Sequence, residues 1–550
     1  MFIRTKKKAE DRISVQIVAN IRDGDKVKQK IIRHVGVAHN AKELEQLKDL
    51  ATFIKVSLEE EKQPNLIPSD QLAEAAIKQR KKLEESDEEL NVNLKSLREE
   101  ARTTIGIHEV MGNLYEQLGF DKLFSSREGS ARNYLQNIVM ARISNPSSKR
   151  ASVKTLNEDF GIRLNLDMVY RMMDQLDSGV IDQIKDLSYV GGQNLLNSKF
   201  DVLFYDATTL YFESVEEDEL KSKGYSKDMK FNQVQVLLAI MVTSSGIPIG
   251  YELFPGNKFE GHTLQEAIGR INAKYDINKI YIVADRGLLS EDNLEYLETS
   301  GHKYIVGARL KNMNSLAKKE LLDLENYEDI GDIKYKNLEL AGTGRRIIAH
   351  YCPKRARKDQ HERNKSVEKL MKKVSNNPDP TKLISNYGYK KYLNVHGKSE
   401  VSVDEAKIAK DARWDGICGI ITNDKTITAQ EALAHYNGLW QIEETFRVSK
   451  HDLQIRPIYH WSPRRIEAHI AICYIALVLV RHLEYRVALQ YKKLSPAVII
   501  DALSRVQLSF LRHKTSNEQY CIPSKVSDDA SKIYKIITGF TPPRTPFKVT

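Results

Sequence analysis

Two aspartates close apolar, strand-like runs: Asp206 in VLFYDATTL and Asp285 in IVADRGLLS. A strand end opens onto a sheet edge, where sites are usually built. Turn chemistry also favours Asp at such ends, so either residue alone decides nothing. Ala207, Ala284 and Gly287 are small neighbours that leave room for a large ligand beside each carboxylate. An Asp that interrupts an apolar strand is a conflict between pattern and propensity, and such conflicts tend to mark function. Thr208 could set its hydroxyl near the same ligand as Asp206, although plain β propensity is the simpler explanation of it.

A third carboxylate lies in the helical stretch AHYNGLWQIEETFRVSK. Leu439, Ile442 and Phe446 form its core-facing stripe. Beside that stripe run Tyr436, Trp440, Glu443, Arg447 and Lys450. Tyr436, Glu443 and Lys450 are seven residues apart, two helical turns each, and stack on one side. One reading is a solvated face with an i,i+4 Glu443–Arg447 pair, worth about 0.3 kcal/mol. The other is a surface that meets a phosphate backbone, which suits a stripe of aromatic, acidic and basic residues. His262, His435 and His469 share no metal-ligand spacing and are read as structural.

The elements that must position these residues follow from pattern. Val202 to Tyr205, the hairpin Val234–Val242 and Ile247–Phe254, Lys279–Ala284 and Lys303–Ala308 read as strands, with helices at 263–273 and 290–299. Strands alternating with helices predict an α/β sheet covered on both faces. The texture breaks from 311 to 414 and resumes with a strand at Gly416–Thr422, a long helix from Thr428 to His451 and an apolar helix from Ile466 to Tyr485. The interruption reads as an insertion inside one domain. Its segment Pro353–Ser375 holds nine Lys/Arg against three Asp/Glu. Residues 1–38 read as strands with ten Lys/Arg against four Asp/Glu, and 41–58 and 69–101 as charged helices.

With 550 residues, several domains are expected. The division predicted is 1–105 (basic strands and charged helices, DNA binding), 106–196 (helical), 197–310 and 415–490 (the two parts of the α/β domain), 311–414 (a β-rich basic insertion) and 491–550 (a helical tail). The net charge of +10 is modest for this length, so its distribution matters more than its sum. Four scattered cysteines without a CxxC pair argue against a disulfide scaffold or a zinc ribbon and suit a reducing compartment. The most apolar stretch, Ile470–Val480, is too short for a membrane span and reads as a core helix. The expectation is a cytoplasmic, nucleoid-associated protein with no membrane part.

Three passages, FYDATTLYFES, IVADRGLLS and YNGLWQIEETFRVSK, together resemble the DDE transposases of bacterial insertion sequences, in the group with a Tyr…Arg…Glu…Lys helix and a β-rich insert. YELFPGNKFEGHT, DGICGIITN and RRIEAHIAICYIAL look like text of the same family. Tyr436, Glu443 and Lys450 meet the family spacing, but Leu439 stands where the family has Arg. Arg286 or Arg447 is the candidate to replace that cation.

The resemblance implies an RNase H-like mixed sheet flanked by helices, with Asp206, Asp285 and Glu443 as both catalytic and metal-binding residues. It implies two Mg²⁺ ions, with Mn²⁺ as a substitute, and double-stranded DNA as partner, both terminal inverted repeats and target. A homodimer on DNA is expected by the same analogy. Tyr436, Arg447, Lys450, Arg286, Thr208 and Trp440 would face phosphates, and Trp414, at the end of the insert, would stack on an unpaired base or serve as a core residue. The basic N-terminal strands and Pro353–Ser375 would grip the element end. A silent DNA-binding descendant and another RNase H-like nuclease are the alternative functions.

Overall fold

The computed structural model describes the chain apart from residues 8–12, 24–25, 39–40, 61–73, 75–76, 78–91, 126–127, 197–199, 214–215, 225–231, 276–279, 332, 341, 376–390, 397–399 and 550. At the N-terminus, strands β1 (Phe2–Lys7), β2 (Ile13–Asp23) and β3 (Lys26–Ala38) form an antiparallel sheet covered by the helix Ala41–Glu60. Val15, Ile17 and Ala51 are buried between them. Both the strands and this first helix agree with their sequence pattern. Most of the charged segment expected to be helical from 69 to 101 lies outside the described residues.

The end of that segment is a correction: Leu97–Thr104 is a strand, β4. Its backbone pairs with a strand more than 400 residues away, as in Thr104↔Gln507, and this ladder overrides the helical charge pattern. Five helices follow: Gly106–Gln117, Gly129–Ser144, Lys149–Phe160, Leu166–Gln175 and Ser178–Leu196.

The centre of the molecule is a nine-stranded mixed sheet. Its first five strands are β5 (Val202–Tyr211), β6 (Gln235–Thr243), β7 (Pro248–Pro255), β8 (Tyr281–Ala284) and β9 (Lys303–Gly307). They lie in the order β7-β6-β5-β8-β9, with β5, β8 and β9 parallel and β6 and β7 antiparallel. This is the RNase H-like arrangement that the family resemblance implied.

Residues 311–414 both extend this sheet and leave it. Strands β10 (Glu328–Ile330), β11 (Ile333–Leu340) and β12 (Arg345–Tyr351) form one edge. Pro353–Ser375 is a 23-residue helix, and β13 (Leu393–His396) and β14 (Glu400–Val403) make a separate hairpin. Strand β15 (Ile417–Thr422) returns between β12 and β9, so the insertion is stitched into the sheet at both ends.

The expectation of a helical tail over 491–550 is also corrected. Helices Pro496–Ser504 and Asp528–Thr538 are present, but β16 (Gln507–His513), β17 (Gln519–Pro523) and β18 (Phe547–Val549) form a four-stranded sheet with β4. Strands of three to seven residues carry too few alternating positions to announce themselves; their partner supplies the reason to be extended.

The sheet separates two cores. Along β5, Leu203, Tyr205 and Ala207 face one, and Val202, Phe204 and Leu210 face the other. The second core is built around the helix Pro463–Gln490, the one helix among the described residues long and apolar enough to cross a membrane. Its apolar window is 94% buried inside the protein, which is the role of a core helix.

One polar cluster sits against that helix. Lys149 is buried, and its Nζ lies 3.2 Å from His469 Nδ1, whose Nε2 donates to the Ile455 carbonyl at 3.0 Å. Burial, reinforced by the nearby Arg142 charge, pulls Lys149 down to about 7 and lowers His469 well below its usual range. Above pH 7 the folded protein therefore binds fewer protons at Lys149 than the unfolded chain, where lysine titrates near 10.4. Its contribution to stability is least favourable below pH 7 and improves as pH rises towards that unfolded value. Lys149→Met is expected to flatten this slope; melting temperatures of both proteins from about pH 6 to pH 9 check it, and parallel curves would contradict it.

Candidate active site

Strands β5 and β8 run parallel, with Tyr205 paired to Ala284. Asp206 and Asp285 are the next residues along the two chains, so the carboxylates leave neighbouring positions about 4.8 Å apart in the sheet. Asp206 remains within β5 and pairs across to Ile240 of β6, and its Oδ1 accepts from the Ala207 N–H at 2.8 Å. Asp285 lies just past β8 in extended backbone, before the 3₁₀ turn Arg286–Leu288. On β5, Asp206 and Thr208 alternate with Tyr205 and Ala207 and so share the face of Phe204 and Leu210.

The third acidic residue comes from a helix on that face. The single helix expected from Thr428 to His451 is divided into Ala429–Asn437, Trp440–Arg447 and a π-helical turn, Val448–Asp452. Thr428 starts it with a reciprocal capping box to Glu431. The first break falls at Gly438, which passes so close to the sheet that a Cβ there would stand 2.5 Å from the Phe204 ring. Glycine is what permits this approach. π-helical turns in helices are frequent at functional sites.

The breaks redistribute the stripe of Tyr436, Glu443 and Lys450. Tyr436 is half-buried against the end of β9, where a Cβ on Gly307 would collide with its hydroxyl and with the Arg286 backbone. Burial, followed by the Asp285 charge, pushes the Tyr436 phenol up to about 12. Lys450, in the π-helical turn, donates from Nζ to Thr208 Oγ1, and the same Nζ sits 5.7 Å from the Phe446 ring centre. Gly438 thus rests on Phe204 and Lys450 on Thr208. Asp206 lies between those two strand residues on the same face, and the exposed Glu443 lies between Gly438 and Lys450 along the helix. Among the described residues, no three His, Cys, Asp or Glu side chains stand close enough together to hold one ion.

The other predicted residues occupy varied places. Arg447 is bound by Glu444 through Nε (2.8 Å) and Nη2 (2.7 Å), and Asp452 lies 3.4 Å away. Its acidic partner is therefore Glu444 at i−3, not Glu443 at i−4, and this bond holds Glu444 below the usual carboxylate range. Trp440 is 49% exposed, with Lys493 Nζ 5.4 Å from its ring centre. Trp414 packs partly buried against the core on the far face of the sheet. It also lines a cavity of about 920 Å³ together with Asp285, Arg286, Tyr436 and, from the Pro353–Ser375 helix, Arg355 and Arg363. His262 stacks edge-on to Phe259, His435 stacks on Tyr281, and His469 is buried.

Arg309 is a residue that the sequence reading missed. It lines the same cavity, and its Nη2 donates to the Arg286 carbonyl at 3.0 Å, which fixes a cation beside Asp285. The available signal was its position: it follows the apolar run of β9 much as Asp285 follows that of β8.

The family model described as "Transposase DDE domain" matches residues 197–479, just over half of the chain. The chain belongs to this family. A DDE transposase cleaves DNA and transfers the cut strand, and the family works with divalent metal ions. Among solved structures, the transposase is similar to a piggyBac transposase synaptic complex with hairpin DNA, at 10% identity and a TM-score of 0.36, over 72% of this chain and 76% of that one. It is also similar to a Mos1 transposase paired-end complex with the left transposon end, at 13% identity and a TM-score of 0.14, over 46% of this chain and 70% of that one. No curated protein matches it.

Proposed function

We propose that this transposase cuts at the ends of an insertion sequence and joins the freed strand to target DNA, using Asp206, Asp285 and Glu443 as its acidic triad. The observation that supports this reading is the β5–β8 register, by which Asp206 and Asp285 each follow a paired residue, with the Trp440–Arg447 helix packed on β5 and the Ala429–Asn437 helix on β8. Two aspartates at neighbouring strands with a glutamate on an overlying helix are the kind of oxygen donors a hard divalent cation prefers, Mg²⁺ or Mn²⁺ in its place, once Glu443 closes on the other two. Such ions, when bound, polarise the scissile phosphate and lower the pKa of the attacking water.

The residues of the chain then have distinct tasks. Asp206 is held within β5 and Asp285 follows the end of β8. Glu443 rides on a helix segment bounded by the break at Gly438 and the π-helical turn, and has to approach them from above. Tyr436, with its phenol kept protonated, can donate to a phosphate oxygen next to Asp285. Lys450, Arg286 and Thr208 border the same face and orient the backbone, and Arg447 and Trp440 line the outer side of the helix. Trp414 faces the cavity that leads from Asp285 to the basic helix.

Attack of water on phosphorus breaks the P–O3′ bond and frees a 3′-hydroxyl. That hydroxyl then attacks a target phosphodiester and displaces the target's own 3′-oxygen, so no covalent protein–DNA link forms. The basic N-terminal strands and the Pro353–Ser375 helix grip the terminal repeats by neutralising phosphates. Two chains acting together on paired ends, in the cytoplasm and at the nucleoid, complete the reading.

The test is cleavage of DNA carrying the flanking terminal repeats by the full-length protein, with Mg²⁺, with Mn²⁺ and with a chelator. Nicking at the repeat boundary that stops with the chelator and returns with either ion is expected. Binding of the repeats without cleavage under any ion would instead identify a silent DNA-binding descendant.

A further inference from the structure

Past the π-helical turn that carries Lys450, the chain runs irregularly from Leu453 to Ser462 before the helix Pro463–Gln490 begins. This segment is tied down along its inner side. Leu453, Ile455 and Ile458 are buried, and the Ile455 N–H donates to the Ser449 carbonyl at 3.0 Å. The His460 ring packs 5.5 Å from His469 and 6.2 Å from Tyr170. The Arg456 guanidinium lies 4.6 Å over the ring of Tyr211, the last residue of the strand that holds Asp206.

Two large aromatics nevertheless face outward from this anchored segment: Tyr459 is 62% exposed and Trp461 is 72% exposed. The pattern is Ile458 in, Tyr459 out, His460 in and Trp461 out, the alternation of an extended chain. Alternate residues of an extended chain stand about 6.6 Å apart. Stacked bases repeat at about 3.4 Å, so side chains that leave the backbone at this spacing leave room for one base between them. The surroundings favour DNA over an apolar partner, because Lys450, Arg456 and the exposed Arg464 all lie on this short stretch of chain. Aromatic side chains beside cations are the usual means of holding an unstacked base while the backbone is neutralised.

We propose that Tyr459 and Trp461 form a stacking site for an unpaired DNA base next to the cleaved bond, a role that rests on the DNA-cleaving reading above. Its ligand is the face of a base, not its hydrogen-bonding edge, so it is indifferent to base identity.

The test compares two probes by fluorescence anisotropy, using the full-length protein: a blunt duplex and the same duplex with a short single-stranded thymidine overhang. Wild type is expected to prefer the overhang by about tenfold. Tyr459→Ala and Trp461→Ala should each lose most of that preference, with blunt-duplex affinity unchanged, and Trp461→Phe should keep most of it. Asp206→Asn should keep the full preference, which separates stacking from cleavage. A double alanine variant that retains the wild-type preference, or a wild type that shows none, overturns the proposal. So does a double variant whose only change is in self-association by sedimentation, since the pair would then cover a second copy of the chain. Failure of wild type to bind either probe would instead sink the DNA-acting reading itself, and the stacking site with it.

Discussion

Asp206→Asn and Asp285→Asn are each expected to reduce metal-dependent cleavage on the order of a thousandfold, with binding of the terminal repeats largely unchanged. The reason lies in their register. Because Tyr205 pairs with Ala284, the two aspartates are the next residues on neighbouring chains, Asp206 within β5 and Asp285 just past β8. Asparagine keeps the shape and one acceptor oxygen but removes the negative charge that a divalent cation requires. The fold should tolerate either change, since Asp206 is only partly buried and Asp285 is exposed. Melting temperature and repeat binding measured beside cleavage separate loss of chemistry from loss of structure. Either variant cutting at the wild-type rate would remove that residue from the site.

The second large effect distinguishes two neighbours on one helix. Glu443→Gln is expected to abolish cleavage, and Glu444→Gln to leave it within a fewfold of wild type. Glu444 is bound to Arg447 on the side of the helix that meets Asp452, whereas Glu443 is exposed between the points where Gly438 and Lys450 meet β5. The Glu444–Arg447 pair is partly exposed, so its loss should cost only about 0.5 kcal/mol of stability. Cleavage rates of the two glutamine variants on the same substrate decide it. A dead Glu444→Gln with an active Glu443→Gln would mean that the helix presents the other residue to the aspartates.

Much of the catalytic fold was legible in the residues themselves. The hairpin β6–β7, the short strands β8 and β9 and the Ser290 cap of the helix Glu291–Thr299 all follow from local apolar runs and turn chemistry. The apolar helix buried at the centre was legible for the same reason: its hydrophobic run has no solvent-facing side. Strand β4 and the C-terminal strands were not, because each is extended only through pairing with a partner remote in the chain. The break at Gly438 was likewise invisible, since glycine within a helical pattern does not reveal which ring it passes.

Residue order alone determined which aspartates close apolar runs, which helical stretch bears Glu443, and the family to which these passages belong, because those are properties of contiguous segments; that β5 continues past Asp206 to Tyr211 was not among them. Only the tertiary structure decided that Tyr205 pairs with Ala284, so that Asp206 and Asp285 follow at adjacent positions, and that Lys450 meets Thr208. These are matters of strand register and helix phase, set by packing between segments tens to hundreds of residues apart, and no local pattern encodes them.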